Sequence, residues 1–197
     1  VAQGLSKSMG GARLFEDLDL ILGPGVRLGL VGANGSGKST LLKVLGKLLD
    51  PDDGDVTWAP DLKVVFFDQE RRSLDPELRL REALGAEGDR VVYRGEALHI
   101  VSWARRFLFT PFQLDLPLRK LSGGEQARVL IAQLMLQPAD VLLLDEPTND
   151  LDIATLEVLE ESLSSFPGAV VLVTHDRYLM DRVATLVLAL EGTVETA

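Results

Sequence analysis

Residues 26–49 read VRLGLVGANGSGKSTLLKVLGKLL. The first six are a mostly apolar run of strand length, and the last eleven carry leucine and valine at helical spacing. Between them, Gly32 to Ser39 fits G-x-x-x-x-G-K-[ST], set after a strand and before a helix as that motif requires. Glycines at these positions let successive backbone N–H groups turn inward and ring a phosphate, where a Cβ would collide or strain the loop. The helix N-terminus behind the loop adds partial positive charge. Gly32, Asn34, Gly35, Ser36, Gly37, Lys38, Ser39 and Thr40 are the candidate cradle. Lys38 is placed to reach the outer phosphates of a nucleotide, and the Ser39 hydroxyl to ligate Mg²⁺.

Outward from this stretch, strands and helices alternate. Residues 1–30 hold short alternating segments broken by glycine and proline, such as DLDLIL then GPG, which predict a small antiparallel sheet. The helix after the loop is expected to run until Asp50–Pro51 halts it. DVTWAP (55–60) and LKVVFFD (62–68) read as two more strands. From about Asp75 to Gln137 the character changes, with charged and apolar residues at helical spacing, as in VSWARRFLF and EQARVLIAQLMLQ. VLLLD (141–145), a helix over about Ala154–Ser164, the strand AVVLVT (169–174), a short helix near Arg177 and the strand TLVLAL (185–190) follow. The order predicts an α/β fold of the P-loop NTPase type, a three-layer core with a mainly parallel sheet. A small N-terminal antiparallel β subdomain and an inserted helical subdomain accompany it. The expected division is a core lobe of about 1–74 and 138–197, with a helical subdomain of about 75–137.

Composition narrows the chemistry. The chain of 197 residues has no cysteine and two histidines, which excludes disulfides, thiolate metal sites and multi-histidine metal sites. Absence of cysteine fits a reducing compartment. The apolar runs VLLL and AVVLV are far too short to cross a bilayer and read as buried parallel strands. A formal charge of −10 argues against strong non-specific binding to nucleic acid or anionic lipid, and Arg71–Arg72, Arg105–Arg106 and Arg119–Lys120 read as solvated surface charge. The chain begins with Val1, not Met, and reads as a fragment of something longer.

VLLLDEP supplies the acidic half of a site. Its four apolar residues bury a strand whose tip carries Asp145, placed to hold a water on Mg²⁺, and Glu146, placed to polarise an attacking water as general base. Gln69, ending KVVFFDQ, is placed to feel both metal and water, and His175, ending AVVLVT, to contact a γ-phosphate as neutral imidazole. His99 has no such setting and is left structural. A second feature, LSGGEQ (121–126), needs its own account. Ser122 and Glu125 form a capping box for the helix that follows. Capping alone leaves Gly123–Gly124 unexplained, since each costs roughly 1 kcal/mol if it falls inside the helix. Two glycines beside free N–H groups at a helix start make an anion site.

Taken in order, GANGSGKST, Gln69, LSGGEQ, VLLLDEP and His175 resemble an ABC-type ATPase cassette over essentially the whole chain. The resemblance implies ATP and Mg²⁺ as ligands, ATP hydrolysis to ADP and phosphate, and head-to-tail pairing of cassettes. In such a pair Ser122, Gly123, Gly124 and Glu125 close over the partner's ATP, the second cassette lying in the same full-length chain or in a homodimer. EPTNDLD (146–152) followed by THDRYLMDRV (174–183) is similar to the ABC-F group, soluble tandem-cassette ATPases of which many act on the ribosome. FFDQERRSLDP, then RFLF before LSGGE, is similar to the second cassette of Uup-type members, which are also linked to DNA. These likenesses imply a cytoplasmic protein without membrane insertion, reaching ribosome or DNA through regions outside this chain. Met9 stands where family members usually offer an aromatic ring to adenine. Two other readings stay open: the ATP-binding subunit of a transporter, against which TNDLD stands in place of SALD, and an ATP-gated binding clamp with incidental turnover.

Overall fold

In the computed structural model, which describes residues 1–68, 74–86, 88–149 and 151–191, the chain opens with β1 (Ala2–Met9), β2 (Ala12–Leu20) and β3 (Arg27–Val31). Helix α1 (Lys38–Leu45), β4 (Asp53–Val56) and β5 (Val64–Asp68) follow. Next come α2 (Leu80–Ala83), β6 (Arg90–Tyr93), β7 (Glu96–His99), α3 (Ile100–Arg106) and α4 (Gly123–Leu136). The chain closes with β8 (Val141–Asp145), α5 (Ile153–Ser164), β9 (Ala169–Val173), α6 (Arg177–Val183) and β10 (Leu186–Ala189). Two compact units result: Val1–Asp68, Ala139–Pro147 and Phe166–Ala197 form one, and Gln69–Pro138 with Thr148–Ser165 form the other.

The first unit is built on a five-stranded sheet ordered β10-β3-β9-β8-β5, every neighbour pair parallel. A three-stranded antiparallel sheet, β2-β1-β4, accompanies it. Both sheets expected from the sequence are therefore present. The apolar runs explain the strand order. All of β9 and the first four residues of β8 are buried, as strands covered on both faces must be. Leu41, Leu42 and Leu45 of α1 share one core with Leu28 and Leu30 of β3, Leu143 of β8 and Val171 of β9. Each such side chain contributes about 1.5–3 kcal/mol relative to exposure. Helix α6 lies so close to β3 that a Cβ on Gly29 would stand 2.1 Å from Met180 Sδ. Register then fixes the site: Asp145 ends β8 opposite Val173 of β9.

Several elements differ from the sequence reading, and the strand expected over 55–60 is β4, Asp53–Val56, paired antiparallel to β1. Helix α1 stops at Leu45 rather than at Asp50–Pro51, because Gly46 caps it and Lys47 turns left-handed with φ 53. The amides of Leu48 and Leu49 then fold back onto Lys43 O. Within the stretch expected to be helical, β6 and β7 form an antiparallel hairpin. Arg94 and Gly95, at φ 53 and 81, supply the two left-handed residues that such a tight turn demands. The signal was present as paired valines before an x-Gly turn, but the flanking helical spacing masked it. In the second unit α4 packs along α5, and His99 caps α3 by accepting from Val101 N at 3.2 Å. Among the described residues no helix is long and apolar enough to cross a membrane.

Candidate active site

The loop between β3 and α1 has the backbone its glycines predict. Gly35 and Gly37 sit at φ 79 and 98, and Gly37 caps α1 in the left-handed region. A Cβ on Gly32 would stand 2.4 Å from Leu190 O and 2.6 Å from Ser36 Oγ, and one on Gly37 would stand 2.8 Å from Leu14 Cβ. The concavity thus exists only because those side chains are missing. Lys38 is buried, and its Nζ donates to Gly32 O at 2.8 Å and Ala33 O at 2.9 Å. Ser36 Oγ is buried without a hydrogen-bond partner. A concave backbone, a cation at its base and an unpaired hydroxyl are the donor set an oligophosphate needs.

The acidic strand tip meets this loop. Ser39 Oγ donates to Asp145 Oδ1 at 2.9 Å. A hydroxyl beside a carboxylate suits Mg²⁺, which takes few protein oxygens and shares its shell with substrate phosphates and water. Among the described residues no group of three or more His, Cys, Asp or Glu converges on a metal position. One residue on, Glu146 adopts φ 47, a left-handed conformation unusual for a side chain of this size. Its amide donates to Val173 O at 2.9 Å, its Oε2 accepts from His175 N at 3.2 Å, and its Oε1 lies 3.4 Å from His175 Nε2. The twist at Glu146 turns its carboxylate from the line of β8 toward the end of β9. Gln69 lies outside the described residues.

A cavity of about 500 Å³ connects these groups, with Met9, Ala12 and Leu14 among its apolar lining and Lys38, Ser39, Glu146 and His175 among its polar lining. An apolar body with a few convergent polar groups, at this volume, fits a nucleotide-sized ligand. Met9 is half exposed there, and Ala12 and Leu14 are apolar neighbours that sequence reasoning did not assign. A second cavity in the same unit, about 440 Å³ around Trp58, Leu22 and Val141, is lined by no charged side chain.

The LSGGEQ turn is complete within the second unit. Ser122 caps α4: its Oγ accepts from Glu125 N at 3.3 Å, while Glu125 Oε2 accepts from Ser122 N at 2.7 Å. Gln113 Nε2 donates to Glu125 Oε1 at 2.5 Å. Burial pushes the Glu125 carboxyl up, but the bonds from Ser122 and Gln113, with Arg128 nearby, outweigh it and hold the group below its ordinary value. Gly123 and Gly124 are the first two residues of α4, where amides have no carbonyl four residues back.

Comparison with known proteins now decides the family. The model of the family described as ABC transporter matches residues 15–149. The chain belongs to this ABC family. It is an ATP-binding cassette of the ATPase type. The ATP-binding protein Uup of Caulobacter vibrioides is 41% identical over 192 residues, covering 97% of this chain and 32% of that protein. Uup of Escherichia coli is 41% identical over 182 residues, covering 92% of this chain and 29% of that protein. The energy-dependent translational throttle protein EttA of Haemophilus influenzae is 38% identical over 186 residues, 94% of this chain and 34% of that protein. The ABC-F resemblance stands on these relatives. The cassette spans about a third of the length of each. A solved structure of an ATP-binding subunit of an ABC transporter superposes with TM-score 0.71 at 22% identity, over 96% of this chain and 84% of that one, which shows a shared fold. The RNase-L Inhibitor superposes with TM-score 0.66 at 27% identity, over 94% of this chain and 35% of that one.

Proposed function

We propose that turnover of ATP in this cassette is carried by Lys38, Ser39, Asp145, Glu146 and His175. It proceeds only when Ser122–Glu125 of a second cassette closes over the nucleotide. The observation that supports this most directly is the Ser39–Asp145 hydrogen bond of 2.9 Å, which joins the phosphate loop to the acidic strand tip one residue from Glu146.

In this reading the amides of residues 32–40 hold the outer phosphates, and Lys38 exchanges its two loop carbonyls for phosphate oxygens. Ser39 and Asp145 would hold Mg²⁺, which when bound neutralises charge on those phosphates. Glu146 takes a proton from water as the water oxygen bonds to the γ-phosphorus. The bond from that phosphorus to its bridging oxygen breaks, and the electron pair leaves with ADP. The His175 amide fixes the Glu146 carboxylate, and its imidazole stands next to it. The first-turn amides of the partner's α4 supply the remaining anion contacts.

Closing and opening of such a pair is the motion ATP drives. A relative named as an energy-dependent translational throttle supports an ABC-F role for the whole protein in translation; action on the ribosome or nucleic acid, in the cytoplasm, is part of the same proposal.

Mixing two dead chains tests the composite site. Ser122→Arg spoils the turn offered to a partner but leaves the chain's own phosphate loop, whereas Lys38→Ala does the reverse. Each alone should be inactive. In a mixed head-to-tail pair one site carries both lesions and the other carries none, so about half the activity of an intact pair should return. If Ser122→Arg loses ATP binding as a lone chain, or mixing restores nothing while wild-type chains pair, the reading fails.

A further inference from the structure

The two glycines of LSGGEQ have different surroundings. A Cβ on Gly123 would meet nothing within 4 Å, whereas one on Gly124 would stand 2.4 Å from Asp152 Oδ2. Gly123 leaves an open face, and Gly124 is open only to let a carboxylate from the start of α5 press against the helix backbone. That carboxylate belongs to a closed set. Asp152 Oδ1 accepts from Thr155 N at 2.7 Å, and Thr155 Oγ1 donates to Gly124 O at 3.3 Å. Thr155 Oγ1 also accepts from Arg128 Nη1 at 3.3 Å, and Arg128 Nη1 lies 3.9 Å from Asp152 Oδ2.

Arg128 is 8% exposed and Thr155 is fully buried. The guanidinium carbon lies 5.6 Å from the Phe109 ring centroid, and its Nε has no hydrogen-bond partner. A buried cation whose charged neighbours are Asp152 at long range and Glu125, and which keeps one orphaned donor, adds little net stability, so a positional role accounts for it better. The set ties the turn bearing Gly123 to Asp152, six residues after Glu146 in sequence.

We propose that Arg128 is a positioning residue: with Thr155 and Asp152 it holds the Gly123–Gly124 turn in the orientation in which Gly123 can meet a partner's nucleotide. The inference rests on the composite-site reading above. Arg128 touches no substrate; it acts through Thr155 and Asp152 on Gly124.

The test uses Arg128→Met, which keeps the stem and removes the guanidinium, and Thr155→Val, which keeps the shape and removes the bridging hydroxyl. In the paired protein each should lower kcat about 10- to 100-fold, the scale of an ångström-size misplacement. ATP affinity of the lone chain should stay within about twofold, since the phosphate loop is untouched. Arg128→Met should also regain activity when mixed with Lys38→Ala but not with Ser122→Arg, because its lesion lies in the signature half. A merely structural role would give no such pattern. Normal turnover of both variants, loss of ATP binding by the lone chain, or failure of Arg128→Met to complement Lys38→Ala while Ser122→Arg does complement it, each overturns the proposal. Where Arg128→Met does not fold, Thr155→Val is put through the same mixtures. Failure of the Ser122→Arg control itself strikes the composite-site reading, and the two failures are thereby told apart.

Discussion

At Glu146 the backbone is held at φ 47, which for such a residue costs about 1–3 kcal/mol. The hydrogen bond from its amide to Val173 O and the bond it accepts from His175 N hold it there. Among the described residues Glu146 is one of six non-glycine residues with positive φ, and of these only its side chain lines the phosphate-loop cavity, which fits the proposed base. Glu146→Gln keeps shape and removes basicity. ATP affinity should persist while turnover falls roughly 10²–10⁴-fold, the usual effect of a positioned base; calorimetry and single-turnover hydrolysis measure the two, and a normal rate would assign the base elsewhere. Met9 raises a separate point. A thioether adapts to a base without the shape demand of a stacked ring, so ATP and GTP should differ only a few-fold in affinity. A preference above about 100-fold, roughly 2.7 kcal/mol, would mean another residue reads the base.

At the scale of elements, the start of α4 is held by several mutually dependent bonds. Its capping box joins Ser122 to Glu125, and Gln113 anchors Glu125 from the short 3₁₀ turn Pro111–Asp115. Because the Glu125 carboxyl is held below its ordinary value in the folded chain, folding favours its charged form. That contribution is complete above the unfolded value and is lost as pH falls through the folded one. Glu125→Gln should therefore melt lower than the parent near neutral pH, with the gap narrowing as pH is lowered through the carboxylate range, about 5 to 3. Thermal melts of both chains across that range check it, and a gap constant with pH would show that Glu125 serves only as a neutral cap. The hairpin β6–β7 shows the converse case. Its residues carry ordinary strand signals, yet periodicity over a long window favoured helix, and the two left-handed residues at Arg94–Gly95 settled the matter.

Over the whole molecule the charge is −10, and the arginines are partly engaged by their own surroundings. Arg119 pairs with Glu77 at 3.0 Å, and Arg106 lies 5.6 Å from the ring centroids of both Tyr93 and Trp103. The chain alone should bind RNA or DNA weakly and with a shallow salt dependence, as few phosphates can be neutralised. Filter binding across a salt series reads this directly; tight binding with a steep slope near about 0.2 M salt would show that the arginines form a working patch.

The sequence by itself determined the alternation of strands and helices, the phosphate loop, the acidic tip of β8 and the capped glycine turn. Those features are local: apolar runs, glycines and capping residues act within a few positions of where they stand. It also carried the family, which the comparisons bear out. Only tertiary structure decided what depends on distant partners. Gly37 has no room for a side chain because Leu14 packs against it, and Gly124 because Asp152 does, at separations in sequence that no spacing rule reaches. The left-handed Glu146 is likewise held by Val173 and His175, residues brought beside it by the parallel register of β8 and β9.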